Sequence, residues 1–171
     1  MLYRYSFLFA LIFIINCTDN GFIDDELNNP EINNDPEFIA ELRSLSSDTL
    51  EIESNSFMLE AYLWRDFMPP SSNNGEPLVS INWLVETNSQ SIPNNVDLVK
   101  QYVIYRESVW VSDYENEERN SGSPHKLEKV SRNGPKWLTD VNVDVVAKVY
   151  DSDTSETHYL ILKNVFIVRT D

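Results

Sequence analysis

The sequence predicts an all-β protein, a single antiparallel β-sandwich that is immunoglobulin-like in outline. In residues 141–150, apolar side chains alternate with polar ones such as Asn142 and Asp144, and this period of two is typical of a strand with one buried face. Residues 157–169 predict a second strand that is apolar on both faces, so a second layer must cover it. Turn residues separate roughly six to eight strand-like segments in all, which is typical of sandwiches.

Length and charge narrow the class of protein. At 171 residues the chain can form one domain with a real core, and its 12% of aromatic residues argues against a disordered protein. The formal net charge is −15 and the basic residues are scattered, so no nucleic-acid partner is expected. The acidity predicts a well-solvated surface.

The first 16 residues predict a signal peptide. Arg4 precedes an apolar run at residues 7–15, and this run is shorter than the roughly 20 residues that cross a bilayer. The run ends just before Cys17, which is the only cysteine, so no internal disulfide can form. The fold must therefore rely on its core alone.

The segment Ile14-Ile15-Asn16-Cys17 resembles the lipobox of bacterial lipoproteins. Ile14 matches the aliphatic residue three positions before the cysteine, whereas Asn16 stands where Gly, Ala or Ser is usual. The resemblance implies that Cys17 is lipidated and that its acyl chains attach an exported protein to the bacterial membrane. Because Thr18 rather than Asp follows, it also implies the outer membrane, on either the periplasmic or the outer surface. Asn16 leaves an ordinary signal peptide or an uncleaved anchor as alternatives.

Residues 17–43 predict a flexible acidic tether, followed by the β-domain at residues 44–171. Asp, Glu and Asn dominate residues 18–36, which contain two prolines and no apolar periodicity. As a coil this segment would span about 25 Å. Residues 37–43 can form a short helix before the domain begins.

The β-domain opens with candidate strands at residues 45–53 and 56–67. In the second of these, Phe57 and Leu63 share one face, while Tyr62 and Trp64 share the other. We therefore expect the face with Phe57 to be buried.

The next strand, residues 78–87, has Trp83 on an apolar face and Asn82 on a polar one. We expect Trp83 to point into the core beside the valines of residues 141–150, because a sandwich needs two apolar faces in contact. The remaining candidates before the closing pair are residues 96–107 and 108–114, as two strands or as one long bent strand, and a short strand at residues 126–130.

No arrangement of residues predicts catalysis. The two histidines, His125 and His158, lie in no recognisable motif, and the chain has no G-x-S-x-G sequence. A zinc site needs three or four Cys, His or carboxylate ligands, and no such spacing occurs. We expect no catalytic residue, no cofactor and no metal site.

The turn at residues 151–156 imitates the start of a calcium-binding EF-hand loop. Asp151 and Asp153 occupy its first and third positions. Glu156 stands where the loop needs Gly, and Leu162 stands where it needs a bidentate Glu. An EF-hand is excluded, and we expect an ordinary acidic hairpin turn.

Three tryptophans are the candidate binding residues. Trp64, Trp110 and Trp137 lie on strand faces or in loops that need not belong to the core. Exposed aromatic side chains on a sheet can stack on sugar rings or anchor a protein partner. The alternative is that they are buried.

Two stretches, residues 59–69 (LEAYLWRDFMP) and 132–137 (RNGPKW), resemble segments of small exported bacterial proteins of uncharacterised function. They cover under a fifth of the chain and imply no activity. The sequence therefore predicts a lipid-anchored, non-catalytic module of the cell envelope that binds a protein or a glycan. One alternative is a purely structural envelope subunit, which would expose an apolar patch or a free strand edge. The other is a small carbohydrate-active or hydrolytic enzyme, which needs a concave pocket with convergent polar groups.

Overall fold

The computed structural model describes residues 29–71, 73–115 and 123–171. Strands dominate these residues, which confirms the all-β prediction, and no helix among them is long and apolar enough to cross a membrane. The predicted signal peptide, Cys17 and the predicted tether up to residue 28 lie outside the described residues. The elements are β1 (Glu31–Asn33), α1 (Pro36–Leu45), β2 (Ser46–Ser47), β3 (Thr49–Ile52), β4 (Asn55–Asp66), β5 (Leu78–Glu86), β6 (Val96–Tyr105), β7 (Ser108–Asp113), β8 (Lys126–Gly134), β9 (Asn142–Asp151) and β10 (Glu156–Thr170).

One curled sheet contains all of these strands. Its order is β1-β7-β6-β9-β10-β4-β5-β8, with β2 beside β10 and β3 beside β4. The pairs β10–β4 and β10–β2 are parallel, whereas the other pairs are antiparallel. The sheet is therefore mixed rather than wholly antiparallel, while the sandwich with an immunoglobulin-like outline stays a prediction.

Strand β10 joins the two halves of the sheet. Residues 156–166 pair with β9 in the first half (β1, β7, β6, β9), and residues 167–170 pair with β4 in the second half (β4, β5, β8). Its register shifts between Leu162 and Val165, and Asn164 there has a positive φ of 59°. A bulge of this kind bends a strand and increases its twist. The bend allows one strand to serve both halves.

The main core lies between the two halves. Fully buried side chains from both halves meet there, such as Phe57 on β4 and Trp110 on β7. Val143, Val145 and Val149 on β9 point into the same core, which confirms their predicted facing.

Helix α1 covers the outer side of the first half. The Asp35 carboxylate accepts a hydrogen bond from the backbone N–H of Glu37 at 2.9 Å, which fixes the start of the helix. Ile39 and Leu42 are then buried against outward side chains of β6, β7, β9 and β10. Strand β1, which pairs with β7, and all but the last two residues of α1 lie within residues 17–43, the predicted tether, and α1 covers the short helix expected at residues 37–43. The folded part therefore begins before residue 44, the predicted boundary.

Strand β5 faces the opposite way from the prediction. Asn82 is fully buried on the inner side, whereas Trp83 is only partly buried and lies on the outer side. Asn82 Nδ2 donates to Gln101 Oε1 at 2.6 Å and to Tyr114 Oη at 3.1 Å. Burial also raises the pKa of the Tyr114 hydroxyl. The expectation that Trp83 points into the core is wrong, because the polar side of β5 meets polar partners across the core.

Candidate binding face

An aromatic and aliphatic surface covers the outer side of the second half of the sheet. Residues that pair directly across strands lie on the same side of a sheet, so the register identifies its members. They form two adjacent rows across β8, β5, β4 and the end of β10. We name this surface the aromatic face; its rows are Tyr62, Ile81 and Val130, and Val168, Trp64 and Val79.

The aromatic face is partly open to solvent around Tyr62, whereas Val130 at its β8 end is buried. Tyr62 is 42% exposed, and Trp64 and Ile81 are partly exposed. Helix α1, which covers the other half of the sheet, does not pack here. Contiguous apolar surface that stays exposed on a folded domain is typical of an interaction site.

Tyr62 and Trp64 form the centre of the aromatic face. They are two residues apart on β4, and their ring centroids lie 5.4 Å apart with an interplanar angle of 29°. The other side of β4 carries Phe57 and Leu63, both fully buried in the main core. The buried side fixes the strand, so Trp64 lies on an outer surface that is held rigidly from below.

Charged side chains border the aromatic face in the next two rows of the sheet. Lys126 Nζ donates to a carboxylate oxygen of Glu60 at 2.6 Å. The indole N–H of Trp83 donates to Glu128 Oε2, also at 2.6 Å. Each carboxylate keeps further lone pairs that can accept hydrogen bonds. An apolar surface with fixed acceptors at its border suits a ligand with an apolar ring face and peripheral hydroxyl groups.

The other two candidate tryptophans lie away from the aromatic face. Trp110 is 1% exposed and belongs to the main core, so its prediction as a surface contact is wrong. Its ring fills the space beside Gly134, where a Cβ would lie only 2.7 Å from the indole. Trp137 is partly buried against Tyr105, with ring centroids 5.4 Å apart. The structure therefore does not bring the three tryptophans together.

Arg65 fixes the loops at the end of β4, next to the aromatic face. Its buried guanidinium donates to the backbone carbonyls of Glu76 at 3.0 Å and Trp137 at 2.7 Å. A third N–H group donates to the carbonyl of Asn74. Burial, and then the nearby Arg169, lowers the pKa of Arg65. One cation thus ties the β4–β5 loop to the β8–β9 loop.

The turn at residues 151–156 is held by the side chain of Asp151. Its carboxylate accepts hydrogen bonds from Asn95 Nδ2 at 2.8 Å, Thr154 Oγ1 at 2.9 Å and the Asp153 N–H at 3.0 Å. These bonds, led by that of Asn95, lower the pKa of Asp151. Across residues 29–71, 73–115 and 123–171, no cluster of three or more His, Cys, Asp or Glu side chains could hold a metal ion.

The sequence does not predict the part of the aromatic face that lies on β5. It places Val79 and Ile81 in the core, because their side of the strand is the more apolar one. The structure places both on the outer side, next to Tyr62 and Trp64. The pattern of β5 alone contains no signal for this, since the choice depends on the polar side chains that face it across the core.

No known protein family, no curated protein and no solved structure matches this chain. The case for a function therefore depends on the residues and the geometry described above.

Proposed function

We propose that this chain is an exported, non-catalytic binding module that is anchored to the outer membrane by a lipid on Cys17 and binds a neutral glycan through the aromatic face. The observation that carries the proposal is the open pair Tyr62 and Trp64 on a rigid strand, with hydrogen-bond acceptors beside it. In terms of fold, we propose that the two halves of the sheet form a β-sandwich with an immunoglobulin-like outline.

The anchor is supported by the apolar run at residues 7–15 and the cysteine that follows it. An acidic domain has little electrostatic attraction to anionic lipid, so acyl chains are the means of attachment that fits this chain. Metabolic labelling with a fatty-acid analogue should mark the wild type and leave Cys17→Ser unlabelled. Equal labelling of the two proteins would contradict the anchor.

Charge and side-chain chemistry favour a neutral glycan as the ligand. At a net charge of −15, the chain repels acidic polysaccharides and nucleic acids. Tyr62 and Trp64 offer ring surfaces, while Glu60 and Glu128 offer acceptors for hydroxyl groups. Both carboxylates are hydrogen-bonded within the sheet, Glu60 to Lys126 and Glu128 to the indole of Trp83, and these bonds hold their oxygens in place to accept ligand hydroxyl groups.

A purely structural envelope subunit is the second candidate, and the edge of the sheet favours it. Among the described strands, β8 ends the sheet and pairs with β5; the Val130 carbonyl accepts a hydrogen bond from the Glu115 N–H at 2.8 Å, and the rest of that edge can receive a strand of a second copy. Sedimentation velocity distinguishes the two candidates, because a structural subunit should self-associate with rising concentration. A glycan-binding module should remain monomeric.

The glycan experiment compares Tyr62→Ala and Trp64→Ala with the matched control Tyr150→Ala. Tyr150 is 36% exposed and lies on β9 in the first half of the sheet, so the control removes an aromatic ring of similar exposure from a different surface. Affinity electrophoresis in gels containing dextran, mannan or hydroxyethyl cellulose should retard the wild type and the control equally. Each face variant should bind about tenfold more weakly, as truncation of a central aromatic contact usually costs more than 1 kcal/mol. Equal retardation of all four proteins, or none on any polysaccharide, would contradict glycan binding.

A further inference from the structure

A shallow groove lies on the first half of the molecule, between the beginning of α1 and the β6–β7 turn. Its volume is about 230 Å³, which suits a small molecule rather than a polymer. The lining residues are Pro36, Ile39, Ala40, Arg43, Arg106 and Glu107. The groove is separate from the aromatic face, which belongs to the second half of the sheet.

Arg106 has a backbone conformation that is unfavourable for its residue type. The β6–β7 turn has two residues between the paired Tyr105 and Ser108, and Arg106 is the first of them, with φ at 56°. Gly, Asn and Asp are the residues favoured where such a turn needs a positive φ, because a larger side chain crowds the backbone. Six other described non-glycine residues, Glu53 among them, also have a positive φ, so the conformation fixes the position of Arg106 in the turn without itself indicating a site.

The guanidinium of Arg106 is not neutralised by the described residues. It lies 5.0 Å from the ring centroid of Tyr105, and none of the carboxylates described forms an ion pair with it. Arg43 forms one bond, from Nη2 to Asp144 at 3.2 Å, and its other guanidinium nitrogens have no partner in the described part of the chain. Two arginines thus line one groove with several free N–H donors.

The rest of the groove determines what kind of anion fits. Pro36, Ile39 and Ala40 supply the apolar part of the lining of the groove, which suits a short hydrocarbon group. Planar guanidinium groups bind carboxylate and phosphate oxygens in paired hydrogen bonds. Glu107 is the one acidic side chain among the lining residues described and Asp144 already pairs with Arg43, so the groove attracts an anion through the guanidinium N–H groups that keep no partner among the described residues rather than through an excess of positive charge.

We propose that this groove binds a small oxyanion that carries a short apolar group. The oxyanion lies between Arg43 and Arg106, and the apolar group packs on Ile39 and Ala40. A carboxylate and a phosphate monoester share this chemistry, and the choice between them is an arm of the test. The proposal does not depend on glycan binding, since the ligand class and the surface both differ.

The test uses the full chain in detergent, with hexanoate and butyl phosphate as probes and hexanol as the neutral analogue. Ionic strength is balanced with sodium chloride, because screening alone weakens exposed charge interactions. Ligand-observed NMR should show saturable binding of at least one oxyanion, and the tighter of the two identifies the class. Hexanol should bind at least about tenfold more weakly, since hydrogen bonds to charged groups are lost. Equal binding of hexanol, or no saturable binding of either oxyanion, would overturn the proposal.

A pair of glycine variants separates binding from folding. Arg106→Gly removes one guanidinium and relieves the strained φ, so it should bind the oxyanion about tenfold more weakly and yet melt at a higher temperature. Glu53→Gly is the matched control, because Glu53 has φ at 54° in the two-residue turn between Ile52 and Asn55, away from the groove. It should also melt higher, with unchanged affinity. If Arg106→Gly binds the oxyanion as tightly as the wild type does, Arg106 has no part in the site and the proposal is wrong.

Discussion

The buried guanidinium of Arg65 holds together two loops at one end of the sheet, so Arg65→Met should destabilise the protein strongly. Methionine keeps much of the length and the apolar contact of arginine but removes every N–H donor. The variant leaves the backbone carbonyls of Asn74, Glu76 and Trp137 without their hydrogen-bond partner.

The size of the effect follows from three hydrogen bonds and one buried charge. A hydrogen bond to a charged group contributes about 1.5–3 kcal/mol, so three of them give about 5–9 kcal/mol as an upper limit. Desolvation of the guanidinium offsets several kcal/mol of that sum. Asn74 and Glu76 are exposed, so their carbonyls can regain bonds with water. We therefore expect Arg65→Met to lower the free energy of unfolding by about 3–5 kcal/mol.

Urea unfolding followed by tryptophan fluorescence measures this free energy. Arg65→Lys should recover only a small part of the loss, because an ammonium group lacks the planar fork that reaches separate acceptors. Arg169→Met is the matched control. Both arginines pack on Phe67: the Cζ atom lies 5.0 Å from the ring centroid in Arg65 and 3.8 Å in Arg169. Arg169, however, is exposed and pairs with Asp171, so its loss should leave stability close to that of the wild type. Equal losses for the two methionine variants would refute the assigned role of Arg65.

Two further changes test the core and the closing turn. Trp110→Ala removes a fully buried ring and should lower the free energy of unfolding by about 3–5 kcal/mol. Trp83→Ala loses a partly exposed ring and its bond to Glu128, so it should lower the same free energy by about 1–2 kcal/mol. Equal losses in urea unfolding would contradict the observed facing of β5. Because folding lowers the pKa of Asp151, chiefly through Asn95, its carboxylate stabilises the fold above about pH 5, and this contribution disappears as the pH falls through the folded pKa. The melting temperature of Asp151→Asn should therefore lie below that of the wild type at pH 7 and converge with it in acid, and a gap that stays constant with pH would exclude the carboxylate as its cause.

The closing pair of strands could be predicted from the sequence because its pattern reflects what covers it. The valines of β9 alternate with polar residues, and Val143 and Val145 are buried as the alternation requires. Strand β10 is apolar on both faces. Its consecutive residues Leu160 and Ile161 point to opposite faces, and they are buried in the main core and under α1, respectively. The pattern of β10 therefore indicates cover on both faces, whereas the alternation of β9 predicts one buried face and does not indicate that Val146 on the other face is fully buried under α1.

The parallel pairing of β10 with β4 could not be predicted, because it depends on a bulge rather than on a hydrophobic pattern. The register of β10 shifts around Asn164, and only beyond the shift does the strand run parallel to β4. The burial of Trp110 could not be predicted from the sequence either. Both sides of β7 are covered, Val109 by the α1 cluster and Trp110 by the main core, so its alternation does not indicate which side is exposed.

Strand β5, whose facing was predicted wrongly, also forms part of the proposed binding face. Its inner side carries Ser80 and Asn82, and within the described residues Ser80 Oγ and Asn82 Oδ1 have no hydrogen-bond partner. Its outer side leaves Val79, Ile81 and Trp83 partly exposed. A buried unpaired polar group costs about 1–3 kcal/mol, and leaving a large apolar side chain in water forfeits a similar amount. These costs are offset on the inner side, where Leu78 and Leu84 are fully buried in the main core and Asn82 bonds to Gln101 and Tyr114, so these contacts stabilise the observed facing of β5. The outer side is thereby left with the apolar side chains of Val79 and Ile81, which form the β5 part of the aromatic face.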